Sequence, residues 1–159
     1  MDSRFTVELH RQADYRFEAR FDHPAVPPLV TDEPPPLGAD AGPNPARLLA
    51  VAVANCLSAS LLFALRKFGE DPGALRTQAT ASLARNAQQR WRVARIEVEM
   101  RLGVAAATLK RLDRALAQFE DYCVVTQSVR AAFPVDVRVL DADGTPHGAP
   151  AAPSTQEIA

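Results

Sequence analysis

The sequence predicts an α+β fold that combines antiparallel strands with one long apolar helix. Two stretches alternate apolar and charged residues as β-strands do, and a third carries no formal charge from Leu48 to Leu65. The strand–helix–strand alternation typical of a parallel sheet is not visible in the pattern. At 159 residues the chain is long enough for one domain and too short for two ordinary ones.

The first alternating stretch, Phe5 to Phe21, predicts an antiparallel hairpin. Tyr15, Phe17 and Ala19 share one face, and the residues between them are charged. Residues 12–14 interrupt this alternation, so we expect the turn there.

The second alternating stretch predicts a long two-stranded ribbon with one polar face. We expect its strands over Leu75–Gln88 and Trp91–Val104, with the turn at Asn86 to Gln89. A final strand is predicted after Pro134, over Val135–Leu140.

A proline-rich connector separates the hairpin from the helix. Eight of the 13 prolines lie between Pro24 and Pro45, so this stretch is predicted to be a loop or an extended segment. A loop of this length is unusual in a compact domain unless it has a role. We therefore expect the connector to wrap over a partner or to cover a site.

The apolar segment predicts a long central helix. Asn44 is a favourable N-cap and Pro45 suits the first helical position, so the helix is expected to run from there to Phe68, with Gly69 ending it. The uncharged part is only just long enough to cross a bilayer and holds several polar residues, so a buried helix is the better interpretation. The other elements are too few to cover such a helix on all sides, which predicts a homodimer.

The remainder of the chain predicts a second helical region and a tail. Thr108 is expected to cap a helix with Leu109, Leu112, Leu116 and Phe119 at helical spacing, and this pattern breaks and restarts near Cys123. After Asp143 and Gly144 the sequence loses any period. We therefore expect one domain over residues 1–143 and a disordered tail over residues 144–159.

Composition excludes several classes of function. The 18 basic and 19 acidic residues give a net charge of -1, which does not favour a nucleic-acid partner. The three histidines do not have the spacing of metal ligands, so no metal site is predicted. The sequence has neither a glycine-rich phosphate loop nor the nucleophile elbow of a hydrolase, so no cofactor and no hydrolase activity are predicted. The N-terminal residues carry charges rather than the apolar stretch of a secretory signal, so the cytoplasm is the expected location and no membrane partner is expected.

The two cysteines are the candidate functional residues. Cys56 lies in the middle of the apolar helix, and Cys123 lies where the second helical pattern breaks. Free cysteine is often simply a small buried hydrophobe, so two inert thiols are one interpretation. The other interpretation is a redox pair, in which one cysteine is oxidised to a sulfenic acid and the second resolves it to a disulfide.

Two segments resemble the cysteine segments of the OsmC/Ohr family. Asn44-Pro45 opens the apolar helix that holds residues 54–58, with the sequence Ala-Asn-Cys-Leu-Ser, and residues 119–128 are similar to the family's second cysteine segment. The connector, with Thr31-Asp32-Glu33-Pro34, looks like that of an OsmC-like subgroup. The resemblance covers roughly residues 5–140.

The resemblance implies an OsmC-like fold: antiparallel sheets packed around a long buried central helix, in an intertwined homodimer. It implies a thiol-dependent peroxidase in which Cys56 attacks an organic hydroperoxide and Cys123 resolves the product to an intramolecular disulfide. A lipoyl-type dithiol is the reductant that the family leads us to expect.

The chain also departs from the family pattern. Family peroxidases carry a glutamate soon after Asn-Pro that orients an arginine toward the reactive sulfur, and here those positions are Ala46 and Arg47. Arg11 is the nearest candidate for the arginine, with Arg16 and Arg20 behind it, although these residues are also compatible with a solvated strand face. Asp32 or Glu33 could replace the missing carboxylate, or could cap the connector instead. Val124 stands where the family has a proline after the cysteine.

Three functional interpretations follow. The first is a cysteine-based organic hydroperoxide reductase. The second is a non-catalytic dimer that binds an apolar ligand or senses redox state, which the missing glutamate favours. The third is a structural dimer with two inert thiols.

Overall fold

The computed structural model describes residues 4–148, which form two compact units that divide between Leu49 and Ala50. The described strands are β1 Val7–Ala13, β2 Arg16–Phe21, β3 Leu29–Thr31, β4 Arg76–Arg85, β5 Trp91–Arg101, β6 Val135–Leu140 and β7 Pro146–His147. The described α-helices are α1 Pro45–Lys67, α2 Leu112–Leu116 and α3 Val124–Val129, and Ala106–Thr108 and Phe119–Tyr122 are short 3-10 helices. The α+β class is confirmed.

The first unit contains a three-stranded antiparallel sheet in the order β1-β2-β3. The predicted hairpin is present, and its turn includes Asp14 in a left-handed conformation with φ of 35°. β3 lies inside the proline-rich connector, where the sequence predicted only a loop, and it pairs Thr31 with Phe17. A strand of three residues bounded by prolines is too short to show a period in the sequence.

Asp32 organises the rest of the connector. Its buried carboxylate accepts hydrogen bonds from the backbone N–H groups of Glu33 at 2.9 Å, Ala39 at 3.0 Å and Ala41 at 3.1 Å. The hydrogen bond from Ala39 is the largest cause that holds the pKa of this carboxyl below its usual value. Of the two roles considered for Asp32, capping of the connector is therefore confirmed.

The long helix begins and ends close to where the sequence predicted. Asn44 Oδ1 accepts the backbone N–H of Arg47 at 3.0 Å, Pro45 is the first helical residue, and Gly69 follows the helix with φ of 72°. The helix ends at Lys67, one residue earlier than expected.

Only one face of α1 is buried within the single chain. The buried positions recur at helical spacing and comprise Val53, Leu57, Ser60, Leu61, Ala64 and Leu65. On the other side Val51 is 60% exposed and Phe63 is 58% exposed. The helix is long and apolar enough to cross a membrane by length and composition alone, a test that the core helix of a globular protein also passes.

The second unit contains a mixed four-stranded sheet in the order β4-β5-β6-β7. β4 and β5 form the predicted antiparallel ribbon, and alternate residues of β5, namely Ile96, Val98 and Met100, are buried. A hydrogen bond of 2.6 Å between the hydroxyl groups of Ser58 and Thr77 ties α1 to β4. One side of this sheet thus belongs to the core that buries α1.

The expectation of a purely antiparallel arrangement is wrong for one pair of strands. β5 and β6 are parallel, with Ile96 opposite Val135 and Arg101 opposite Leu140. The chain between them passes through the helical segments from Ala106 to Val129 and returns to the end where β5 began. A crossover of this kind produces parallel neighbours.

The helix predicted after Thr108 is broken into short pieces. Thr108 ends a 3-10 helix instead of capping an α-helix, and its hydroxyl donates back to Ala105 O at 2.7 Å. Leu109, Leu112 and Phe119 are nevertheless buried. Separate turns bury apolar residues at this spacing as well as one continuous helix does, so the spacing alone overestimated the helix length.

The predicted loss of structure after Gly144 is wrong for the residues that follow directly. Pro146–His147 forms β7 on β6, and buried Asp141 accepts hydrogen bonds from Thr145 N at 2.9 Å and from His147 Nε2 at 3.0 Å. The bond from His147 is the main cause that lowers the pKa of Asp141 to about 2. The rest of the predicted tail, residues 149–159, lies outside the described residues, and the domain boundary at residue 143 stays a prediction.

Candidate functional site

The two cysteines lie in different segments of the second unit. Cys56 is in the middle of α1 and is partly exposed. Cys123 is fully buried and occupies the extended residue between the 3-10 helix Phe119–Tyr122 and α3, with φ of −81° and ψ of 92°. The break in the helical pattern that drew attention to Cys123 is therefore a real change in backbone direction.

The fold brings these two thiols close enough to influence each other, although 66 residues separate them in the sequence. Burial is the largest cause that raises the pKa of the Cys123 thiol, and the neighbouring Cys56 thiol raises it further. Hydrogen bonds with Thr126 act in the opposite direction. The net effect keeps Cys123 protonated at neutral pH.

Cys123 is also the N-cap of α3. Its sulfur accepts the backbone N–H of Thr126 at 3.4 Å and lies 2.9 Å from Thr126 Oγ1. Thr126 is itself fully buried. The sequence prediction did not single out Thr126. Its position three residues after the cysteine is the spacing of an N-cap and its partner, and that signal could have identified it.

An ion pair holds the backbone on both sides of Cys123. Arg130 Nη2 pairs with Glu120 Oε2 and also donates to the carbonyl oxygen of Val135 at 2.9 Å. Gln127 Nε2 donates to the carbonyl oxygen of Glu120 at 3.0 Å. The 3-10 helix, α3 and the start of β6 are thus joined by side-chain contacts.

An aromatic contact lies next to the thiols. The rings of Phe63 on α1 and Tyr122 meet edge to face, with their centroids 5.8 Å apart and an interplanar angle of 65°. Tyr122 directly precedes Cys123, and Phe63 is two helical turns beyond Cys56.

The candidate arginines all lie in the first unit and differ in their partners. Arg11 is exposed at the hairpin, and its Nε donates to the carbonyl oxygen of Asp14 at 3.0 Å. Arg20 Nε donates to Glu18 at 2.7 Å. Arg16 Nε is buried without a hydrogen-bond partner, and it lies 3.8 Å from Asp32 Oδ2.

The structure describes the surroundings of two departures from the family pattern. Arg47, beside Ala46, donates from Nη1 to Asp40 Oδ1 at 3.1 Å, so it is engaged with the connector. Val124 is the first residue of α3, a position that proline also suits. The replacement of proline by valine is therefore compatible with the same local backbone.

The described residues offer no alternative centre for metal chemistry. Within residues 4–148 no three His, Cys, Asp or Glu side chains converge in a way that could hold a metal ion. A cleft of about 700 Å³ opens on the second sheet, and it is lined mainly by polar residues such as Gln78, Thr80, Glu97 and His147. Neither cysteine lines this cleft.

The fold and the site together define a small α+β protein with two neighbouring thiols. Residues 38–138 match the family model described as OsmC-like protein, which is more than half of the chain. The chain therefore belongs to the OsmC-like protein family. A comparison with the curated proteins finds no match.

Solved structures share the same fold at low sequence identity. An OsmC-like protein of unknown function from Vibrio cholerae is 15% identical with a TM-score of 0.74, covering 87% of this chain and 100% of that chain. The organic hydroperoxide resistance protein OsmC from Legionella pneumophila is 15% identical with a TM-score of 0.66, covering 86% of this chain and 96% of that chain. An organic hydroperoxide resistance protein from Elizabethkingia anophelis is 17% identical with a TM-score of 0.63, covering 87% of this chain and 98% of that chain.

The burial of the two thiols predicts the order in which they react. With limiting iodoacetamide at pH 7, Cys56 is expected to be labelled before Cys123, because Cys123 is buried and its pKa is raised. Labelling of Cys123 should increase only as the pH rises above the ordinary thiol pKa of about 8.5. Peptide mass spectrometry at several pH values measures both labelling rates. Faster labelling of Cys123 than of Cys56 at pH 7 would contradict the predicted order of reaction.

Proposed function

We propose that the protein is a thiol-dependent peroxidase that reduces organic hydroperoxides. The observation that carries this proposal is the proximity of the Cys56 and Cys123 thiols in a member of the OsmC-like family. Two thiols in contact can store and release two electrons as a disulfide, which is what the reduction of one peroxide requires.

Cys56 is the residue that reacts with the peroxide. It is the more exposed of the two sulfurs, so an incoming hydroperoxide can reach it. The Cys56 thiolate attacks the terminal peroxide oxygen; an S–O bond forms, the O–O bond breaks, and the alcohol leaves after taking up a proton. The sulfur of Cys56 is thereby oxidised by two electrons to a sulfenic acid.

Cys123 resolves this intermediate. Its protonated, buried sulfur is already next to Cys56 and needs no long movement to reach it. As Cys123 loses its proton, its sulfur attacks Cys56; the S–S bond forms, the S–O bond breaks and water leaves. A lipoyl-type dithiol then supplies two electrons and two protons to restore the thiols, and is itself oxidised to a disulfide.

A reducing compartment suits this cycle, since the pair must return to the dithiol form before each turnover. The cytoplasm keeps thiols reduced, and we propose it as the location. Recovery of the protein from an oxidising compartment in cell fractionation would contradict this assignment.

An arginine is proposed to stabilise the Cys56 thiolate, with Arg11 as the first candidate. Arg16 has a feature that Arg11 lacks: its buried Nε has no hydrogen-bond partner, and the carboxylate of Asp32 lies close by. Arg16 and Asp32 are therefore an arginine–carboxylate pair that exists although residue 46 is an alanine.

The homodimer is proposed from the exposed face of α1. Val51 is apolar and 60% exposed in the single chain, on a helix whose other face is buried. Leaving such a helix half covered exposes apolar surface to water, which association with a second copy removes.

A non-catalytic role is the second candidate, and Ala46 favours it. Without the usual glutamate the thiolate has less electrostatic support, so the chain could bind an apolar ligand or be oxidised once without turnover. Recovery of an apolar ligand from the native protein, or oxidation by one equivalent of peroxide with no turnover, would support this function.

Peroxidase activity is tested with the two cysteine variants. Reduced wild-type protein is expected to consume cumene hydroperoxide in the presence of dihydrolipoamide and to form the Cys56–Cys123 disulfide. Cys56→Ser should lower the turnover on the order of a thousand-fold or more, because the attacking sulfur is lost. Cys123→Ser should still react once and accumulate a sulfenic acid that dimedone traps. If folded wild-type protein neither consumes peroxide nor forms the bridge, the proposal is wrong.

The arginine assignment is tested by comparing single variants in the same assay. Loss of the cation is expected to slow oxidation of Cys56 by about 10- to 100-fold, because the thiolate loses a stabilising charge. We expect this for Arg11→Ala or for Arg16→Ala, and Arg20→Ala serves as the matched control. If Cys56 is oxidised at the wild-type rate in all three variants, no hairpin arginine acts on Cys56.

The dimer is tested by the mass of the protein in solution. Wild-type protein should sediment at twice the chain mass of 17.2 kDa. Val51→Glu should shift it toward the monomer, since it places a charge on the exposed apolar face of α1, whereas Lys67→Glu at the end of the helix should not. Wild-type protein that sediments as a monomer would refute the homodimer.

A further inference from the structure

We propose that the ring contact between Phe63 and Tyr122 is a positioning element that holds Cys123 against Cys56. Disulfide closure in the proposed peroxidase cycle depends on it. The inference rests on the proposed function for its peroxide step, and on the geometry of the second unit alone for its disulfide step.

The segment that carries Cys123 has little regular structure of its own. It consists of a 3-10 helix of four residues, the extended Cys123 and a six-residue α3. Helical pieces this short are not stable by themselves in water. The position of Cys123 is therefore set by side-chain contacts with neighbouring elements.

Most of the described contacts of this segment tie it to itself or to β6. Arg130 pairs with Glu120 and bonds to the carbonyl oxygen of Val135, and Thr126 bonds to the sulfur of Cys123. These contacts fix the shape of the segment. None of these three contacts has a partner on α1, where the reacting sulfur lies.

The ring contact supplies a connection to α1. Tyr122 is the residue before Cys123, and it meets Phe63 on the same helix as Cys56. Phe63 follows Cys56 by seven residues, which places both on one side of α1 about 10 Å apart along its axis. The thiol contact and the ring contact are thus two parallel connections between the same pair of segments.

The geometry of the ring pair, rather than the area it buries, is what supports a positioning role. Phe63 is 58% exposed and Tyr122 is 48% exposed, so the pair buries little area. An edge-to-face pair nevertheless favours one geometry over others. When Cys56 is oxidised and its contact with the Cys123 thiol changes, the ring contact is the connection that keeps the resolving sulfur close.

The test separates the two chemical steps in four single variants and one double variant, which combines Tyr122→Ala with Phe63→Ala. Tyr122→Ala and Phe63→Ala remove the ring contact, Tyr122→Phe preserves it, and Phe68→Ala removes a phenylalanine that has no ring contact within residues 4–148. Dimedone trapping after cumene hydroperoxide reports the oxidation of Cys56. Disulfide closure is followed by mass spectrometry after treatment with diamide, which accepts two electrons and two protons from the two thiols without any peroxide.

Both alanine variants are expected to close the disulfide about three- to ten-fold more slowly, from the usual strength of an aromatic pair. Their rate of oxidation by peroxide should stay within about two-fold of wild type, and more sulfenic acid should be trapped. Tyr122→Phe and Phe68→Ala should close the disulfide at the wild-type rate. The double variant should be no slower than either alanine variant alone, because both remove the same contact.

Several results would overturn the inference. Wild-type closure in Phe63→Ala would do so, as would additive effects in the double variant or a Tyr122→Phe variant as slow as Tyr122→Ala. Circular dichroism and thermal unfolding establish that each variant is folded, and Phe63→Ala decides the question if Tyr122→Ala does not fold. If no protein reacts with peroxide but the diamide rates separate as expected, the proposed function fails while the positioning role stands.

Discussion

A helix with a long uncharged stretch has to remove its apolar side chains from water, and the structure of the second unit depends on how α1 does so. Leu57, Leu61 and Leu65 are fully buried, and each such side chain contributes about 1.5–3 kcal/mol relative to exposure. The alternating residues of β5 provide the apolar face that this burial requires. Because Cys56 lies on the same helix, the requirement that builds the core also fixes the position of the reactive thiol.

The second thiol is placed by a different kind of constraint. The segment from Phe119 to Val129 changes direction at Cys123. There the Cys123 sulfur accepts the free backbone N–H of Thr126, and Arg130 pairs with Glu120. A sulfur that caps a helix cannot move far without losing these hydrogen bonds. The site thus combines a thiol on a rigid helix with a thiol in a segment that short-range contacts hold in shape, and this difference suits the roles of attacking and resolving sulfur.

The first unit shows how a long loop is ordered without helical structure. Asp32 gathers three backbone N–H groups from a connector that contains Pro34, Pro35 and Pro36. Gly38 belongs to this arrangement, because a Cβ there would lie 2.2 Å from the carbonyl oxygen of Glu33. Arg16 is drawn toward the same carboxylate, which explains why one of the hairpin arginines differs from the others.

Sequence reasoning succeeded where the signal is local. The limits of α1 follow from Asn44, Pro45 and Gly69, and the strand over Val135–Leu140 follows from its alternation after a proline. It failed where the outcome depends on distant segments. The parallel pairing of β5 with β6, the three-residue β3 and the strand at Pro146–His147 are all decided by a neighbouring strand that offers free backbone groups.

The sequence by itself determined that the chain has one long apolar helix, few charges in excess and two widely spaced cysteines within OsmC-like segments. Whether those cysteines meet was decided only by the tertiary structure, because their contact depends on packing a broken helical segment against α1 across 66 residues of chain. The tertiary structure also decided the ring contact of Phe63 with Tyr122 and the burial of Arg16 Nε without a hydrogen-bond partner. Periodicity reports which face of an element is apolar, whereas the partner of each side chain is set by the packing of elements that are distant in the sequence.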